Sequence, residues 1–371
     1  MFRLTVILAV CCHWTGVRGQ FENGIVFTNG DNSIGTVYPT QSAAITTTIA
    51  NQKCTCVLAG TCPTGGNGID IRIVNNAFDV QITKISQGPP QTPCPAGYVS
   101  CCSPGNQNQV DGTCGIRKIT PTQQPVVGQA SFGAYPWQAA LLNSQQAYLG
   151  SGVLLDATHV LTAAHKVAAF VNNPTGMLIR LGEWNARSNS EPLDPVTVNV
   201  VRITLHPQFN ANNLENDLAI ITLNGYVNIP SYANVNTACK PTTAPVTGRR
   251  CYVAGWGKNL FGPNGSYQSI LKEVDVPILD NTDCENRLKQ TRLGAAFVLN
   301  RVSFMCAGGE AGKDACTGDG GAPLVCQKAS GQWEVVGIVA WGIGCATPGV
   351  PGVYTNVFNF LPWINTVVAT L

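Results

Sequence analysis

The sequence predicts an all-β protein of barrel or sandwich type, matured in an oxidising compartment and preceded by a small unit that depends on disulfides. Three observations carry this. Short runs rich in Val, Ile, Leu and Tyr alternate with Gly, Pro and Asn turns after residue 126, among them Gly152-Val-Leu-Leu155, Met177-Leu-Ile-Arg-Leu181, Leu218-Ala-Ile-Ile-Thr-Leu223 and Val335-Val-Gly-Ile-Val-Ala-Trp341. That spacing marks many short strands. The 371 residues include 16 cysteines, a usage typical of oxidising compartments. The start, Met1-Phe2-Arg3, an apolar run from Leu4 to Cys12 and the small-residue site Val17-Arg18-Gly19, has the layout of a secretory signal peptide.

In chain order, residues 1–19 read as that signal peptide, cut near Gly19–Gln20. The apolar run is too short to cross a bilayer, and no later stretch reaches about 18 apolar residues. Cys11 and Cys12 leave with it, so 14 of the 16 cysteines remain, an even number that suits a full set of disulfides. Residues 20–53 are polar and rich in Thr, Asn and Gln, and read as a flexible arm. Residues 54–102 hold six cysteines, Cys54, Cys56, Cys62, Cys94, Cys101 and Cys102. So small a unit buries too little apolar surface to fold without staples. Zinc is the rival reading of Cys54-Thr-Cys56, and the signal peptide with the even count favours disulfides. Residues 103–125, with Pro104, Gly105, Pro121 and Pro125, form a linker that carries Cys114. Residues 126–371 are the large β domain, closed by a helix after Pro362, where apolar residues recur at helical spacing. A formal charge of +2 and 11% charged residues leave no basic block for nucleic acid or an anionic membrane. No cofactor and no metal are expected.

Three strings in the large domain carry the chemistry. Thr162-Ala163-Ala164-His165 comes first, Asn216-Asp217-Leu218-Ala219 second, and Gly318-Asp319-Gly320-Gly321-Ala322-Pro323 third. In this order they resemble the base, orienting-acid and nucleophile segments of the chymotrypsin-like serine proteases. The resemblance covers nearly all of residues 126–371 and implies two packed six-stranded antiparallel barrels. It also implies a loss. The nucleophile position is Gly320, and glycine has no oxygen with which to attack a carbonyl. His165, Asp217 and Gly320 are therefore expected to be a remnant triad without catalysis. Taken singly, His165 reads as a structural histidine and Asp217 as a turn residue.

The same resemblance assigns further positions. Asp314 matches the residue that gives trypsin-like enzymes their preference for Arg and Lys, and Gly342 and Gly352 match the walls of that pocket. Whether this vestigial pocket holds a partner's basic side chain or is an occluded inheritance stays open. Asp319 matches the carboxylate that pairs with the new terminus of an activated protease. The matching terminus, Val126-Val127-Gly128-Gln129, follows Pro125 where an activator expects Arg or Lys. Asp319 is thus expected to lack that ion pair, to take a partly solvated or hydrogen-bonded position, and to leave the oxyanion hole of the Gly318 and Gly320 amides poorly formed. Ala322 stands where the family has glycine, a position of close backbone approach. The family pairing implies Cys251–Cys326, Cys284–Cys306 and Cys316–Cys345. One family bridge is missing at both ends, at Lys166 and near Gly150, which is expected to loosen the loop beside His165.

The Cys-x-Cys start, the Gly-rich turn, Ile69-Asp70-Ile71-Arg72 and the terminal Cys101-Cys102 pair resemble an arthropod clip domain. That resemblance implies Cys54–Cys101, Cys56–Cys94 and Cys62–Cys102, with Cys114 tied to Cys239. The whole of 54–371 is similar to the non-catalytic clip-domain serine protease homologues of arthropod haemolymph. What this implies is a secreted regulator of an innate-immune protease cascade, most familiarly a cofactor in prophenoloxidase activation and melanisation. Its implied partners are clip-domain proteases, prophenoloxidase, and other homologues or itself after cleavage. A negative regulator or decoy, and an adhesion or microbial-surface recognition protein, remain alternatives. The implied switch is a trypsin-like cut between Cys62 and Cys94, after Arg72 or Lys84, with the linker pair Arg117 and Lys118 as runner-up because turn formers surround it and should expose it. Asn264-Gly265-Ser266 is a glycosylation acceptor in an expected surface loop.

Overall fold

Short β-branched runs, each closed by a turn residue, become the strands of this chain. The computed structural model describes residues 114–120, 126–188, 191–262 and 264–370 in full and, between 54 and 102, the backbone of four strands. These are β1 (Cys54–Leu58), β2 (Asp70–Ile71), β3 (Ile82–Thr83) and β4 (Tyr98–Cys102). β1 runs antiparallel to β4 with Cys54 opposite Cys102 and Thr55 opposite Cys101, and β2 pairs with β3. The signal peptide, the polar arm, Cys62, Cys94, Arg72 and Lys84 lie outside the described residues, as do the side chains of the strand cysteines.

β5 (Gln138–Asn143), β6 (Tyr148–Leu154), β7 (His159–Thr162), β8 (Met177–Leu181), β9 (Val196–Leu205) and β10 (Ala219–Leu223) form a closed antiparallel barrel. Leu141, Leu154, Ile179, Ile203 and Ile221 pack inside it. β11 (Arg250–Gly255), β12 (Lys272–Pro277), β13 (Phe304–Gly308), β14 (Pro323–Gln327), β15 (Trp333–Trp341) and β16 (Pro351–Asn356) form a six-stranded antiparallel sheet. Its two edges, β12 and β13, meet where Ile278 bridges Ala307, so this sheet also curls into a barrel. Between the two barrels lies a shared core that includes Trp137, Leu161, Ile220, Trp256 and Ile338. Fully burying residues of this size stabilises by roughly 2–3 kcal/mol each before entropy is counted.

Three α-helices, α1 (Ala164–Val167), α2 (Asn281–Lys289) and α3 (Leu361–Ala369), and four short 3-10 turns complete the described residues. Asp280 caps α2 by accepting from the amides of Thr282 and Asp283. Pro362 sits in the first turn of α3, where a missing N–H costs nothing. Ile364, Val367 and Val368 then face the core at helical spacing.

The structure joins Cys114 to Cys239, Cys251 to Cys326, Cys284 to Cys306 and Cys316 to Cys345. The first of these changes the reading of the linker. It holds residues 114–118 against the domain, where the Trp333 amide donates to the Gly115 carbonyl and the Gly115 amide donates to the Thr237 carbonyl. Gly115 has φ +67° and no room for a Cβ against Trp333. Arg117 then lies over the rings of Trp333, at 4.3 Å, and Tyr135, at 5.3 Å. Lys118 reaches the carbonyls of Ile229, Tyr232 and Val235 at 2.7, 3.0 and 2.9 Å. The expectation of a freely exposed basic pair is corrected here. Arg117 is half-buried, and the exposed Lys118 has its ammonium engaged by three carbonyls. A protease would have to pull either side chain off these partners first.

Candidate functional site: a remnant triad and its cavity

His165, Asp217 and Gly320 come together at the junction of the two barrels. β7 ends at Thr162, and the fully buried Ala163 and Ala164 anchor the turn that starts α1 and brings His165 to the surface of the seam. Asp217 enters from the other side, after Asn216, whose φ of +56° is a left-handed conformation that asparagine tolerates. The Asp217 side chain is fully buried. One of its oxygens accepts from the His165 amide at 2.8 Å and the other pairs with His165 Nδ1 at 2.6 Å. Its carbonyl accepts from Thr355 Oγ1 of β16 at 3.0 Å. A buried carboxylate is tolerated when its oxygens are bonded in this way. The other imidazole nitrogen faces Gly320: a Cβ there would lie 2.9 Å from His165 Nε2.

The Gly320 loop is pinned on both sides. Ser151 donates its amide to the Gly320 carbonyl at 3.1 Å, and Gly321 donates to Val339 at 2.9 Å. Gly321, at φ +85°, has Ser151 and Thr162 where a Cβ would go. Ala322, expected to crowd the loop, is instead fully buried in the core of the second barrel beside Leu324 and Val336. Among the described residues neither the Gly318 nor the Gly320 amide donates to a backbone carbonyl.

Lys166 fills the space beside Gly320 and Gly150. Its Cε lies 2.7 Å from the Cβ position of Gly320 and 2.7 Å from that of Gly150. The loop beside His165 is therefore packed by a lysine stem where loosening was expected. Sequence reading noted Lys166 and Gly150 as the two ends of a lost bridge. That one residue also covers Gly320 arises because three distant segments meet.

Beside this lies a cavity of about 250 Å³, lined by His165, Lys166, Asp314, Gly342, Gly352 and Tyr354 among others. Asp314 accepts from the Ala346 amide at 3.1 Å. Burial pushes its carboxyl up to about 6 against the pull of backbone amides. A Cβ on Gly352 would stand 3.0 Å from Asp314 Oδ1, and one on Gly342 would meet only a carbonyl at 3.7 Å, so both glycines keep the cavity clear. Asp319 accepts from the amides of Gly257, at 2.8 Å, and Cys316, at 2.9 Å. Burial raises it also to about 6, with Lys166 a weaker opposing charge. Val126 and Val127 are 70% and 97% exposed, not inserted beside it. Asn264 is exposed in a turn.

These raised carboxyls set a pH dependence. Asp314 and Asp319 rise from an ordinary 3.8 to about 6. Between those values the folded chain holds protons that the unfolded chain has released, so stability falls as pH rises through the window. Burial raises Glu183 in the same direction. Carboxyls held low, such as Asp280 by the amides of Asp283 and Thr282, lose their contribution below about pH 4. The melting temperature is expected to be higher at pH 5.5 than at pH 7.5 by a few degrees, each of the two aspartates contributing about 1 kcal/mol over that interval. Calorimetry at constant ionic strength checks it; a flat or rising trend from 5.5 to 7.5 contradicts it.

Comparison with known proteins fits this geometry. Residues 126–364 match the family model described as Trypsin. A protein of Aedes aegypti described as "Inactive CLIP domain-containing serine protease A3" is 45% identical over 331 residues, spanning 87% of this chain and 68% of that protein. "Phenoloxidase-activating factor 2" of Galleria mellonella is 42% identical over 258 residues, 65% of this chain and 83% of that protein. "Inactive CLIP domain-containing serine protease A8" of Anopheles gambiae is 34% identical over 275 residues, 71% of this chain and 73% of that protein. With the two-barrel fold and the paired His165 and Asp217 already in place, the chain belongs to the trypsin family, among relatives described as inactive clip-domain serine proteases.

Proposed function

We propose that this protein is a secreted, catalytically inactive cofactor of an extracellular immune protease cascade, acting on prophenoloxidase activation and switched by a proteolytic cut in residues 54–102. The observation that carries the reading is the filled nucleophile seat. His165 and Asp217 keep their geometry, while position 320 has no side chain and Lys166 lies across it. A chain so built retains a protease surface without the step that a nucleophile performs. The relative described as a phenoloxidase-activating factor supports the choice of cascade.

The test is direct. The cut protein is added to prophenoloxidase with its activating protease. Phenoloxidase output is expected to rise several-fold over protease alone. A fall makes the chain a decoy, and no change with direct binding to microbial glycan makes it a recognition protein; either result ends the cofactor reading.

Gly320→Ser is expected to leave the protein without useful activity. The serine would meet Lys166 Cε and His165 Nε2, and Asp319 still lacks a terminal ammonium. Because the far end of a lysine yields easily, the variant should fold. Its turnover should stay more than about tenfold, or about 1.4 kcal/mol in barrier, below an active family member. A fluorophosphonate probe should leave the parent protein unlabelled. Turnover inside that margin, or specific labelling of the parent, overturns the account.

The cut is expected after Arg72, with a new N-terminus at Ile73, and fragments that separate on a gel only after reduction. The clamped state of Arg117 and Lys118 disfavours the linker. N-terminal sequencing decides: a start at Lys118 or Ile119 moves the switch, and an uncut protein of equal potency removes it.

A further inference from the structure

The cavity beside Gly320 carries two side chains of opposite charge, and neither touches a counter-charge. Among the described residues Asp314 is hydrogen-bonded by the backbone amides of Ala346 and Ala315 and by no cation. The Lys166 ammonium makes no hydrogen bond and no ion pair among the described residues, with Asp319 and Asp217 acting on it from beyond contact. The cavity, about 250 Å³, admits one long side chain and no folded segment. The Tyr354 hydroxyl, buried in its wall, has no partner among the described residues.

Lys166 decides how a chain whose basic side chain enters this cavity can continue. Its Cε is wedged between Gly320, on the cavity wall, and Gly150, outside it, 2.7 Å from the Cβ position of each. A peptide that continues past its basic residue has to displace that stem. A peptide that stops there ends in a carboxylate beside an unpaired ammonium. We propose that the cleft is a receptor for peptide C-termini ending in arginine or lysine, with Asp314 taking the basic side chain and Lys166 taking the terminal carboxylate. Both contacts are charge-assisted, the stronger class of hydrogen bond. The exposed Phe261 on the cavity rim offers apolar surface to the residues before the end. Such ends are the products of hydrolysis after Arg or Lys. Their source rests on the cascade reading above; their binding does not.

Fluorescein-labelled hexapeptides that differ only at the last position, Arg acid, Arg amide and Ala acid, are titrated into the full-length protein, uncut and cut, and read by fluorescence polarisation. The Arg acid is expected to bind at least about tenfold more tightly than either control, the span of a charged hydrogen bond. Lys166→Gln should bring acid and amide within about twofold while keeping Arg over Ala. Lys166→Arg should keep the acid preference. Asp314→Asn should remove the preference for Arg and leave that for the acid. The comparison of end groups on the parent protein needs no variant to fold. Equal binding of acid and amide by the parent, no binding of the Arg acid up to millimolar concentration in either form, or an acid preference that survives Lys166→Gln overturns the proposal. A flat phenoloxidase assay leaves it standing.

Discussion

A carboxylate in the seam between two barrels orders everything around it. Asp217 ties the start of β10 to the backbone and ring of His165 on α1, and its own carbonyl ties it to Thr355 of β16. Those contacts join both barrels through one buried residue. Removing one partner of a buried, bonded charge typically costs about 3–5 kcal/mol. The pair at His165 and Asp217 therefore has a structural reason to exist that is independent of proton transfer. That is why an intact diad beside Gly320 says little about catalysis. The catalytic question rests on position 320 and on what lies over it.

Charge balance explains Lys166. Asp314 lines the cavity, Asp319 and Asp217 act on Lys166 beside it, and Val126 and Val127 are exposed far from any role as an inserted terminus. Three acids in a desolvated region call for a cation. Desolvation lowers the Lys166 amine, and Asp319 and Asp217 pull it back up. The lysine is thus a shared counter-charge as well as a packing stem. It stands in part for the ammonium that an activated protease would bring to Asp319, but makes no ion pair with it, and burial keeps Asp319 high at about 6.

The fold was legible because it is written locally. Runs such as Leu218-Ala-Ile-Ile-Thr-Leu223 are short, β-branched and fenced by turn residues, and they became barrel strands. His165 and Asp217 stood out for the same reason, each inside a short string with family-like neighbours. Lys166 did not, because its meaning depends on Gly150, Gly320 and His165, which sit in segments far apart in sequence. Arg117 and Lys118 misled in the opposite sense. Turn formers around them promised exposure, but the Cys114–Cys239 bridge lays them on Trp333 and on the carbonyls near Val235. Local composition sees neither a ring nor a carbonyl more than a hundred residues away.

On the proposed reading, a glycine at position 320 also lifts a constraint on what the cleft is allowed to hold. An enzyme that cuts after a basic residue must release the new C-terminus, since tight binding of that end would stall turnover. It therefore gains from keeping the product's carboxylate poorly satisfied. A chain without turnover has no such limit. Lys166, whose Cε lies across Gly320, brings a cation beside a position where the enzyme must avoid one, and leaves the Asp314 cavity next to it open. The two changes at Gly320 and Lys166 then make physical sense together. One removes the reaction, and the other favours the species that the reaction would have produced.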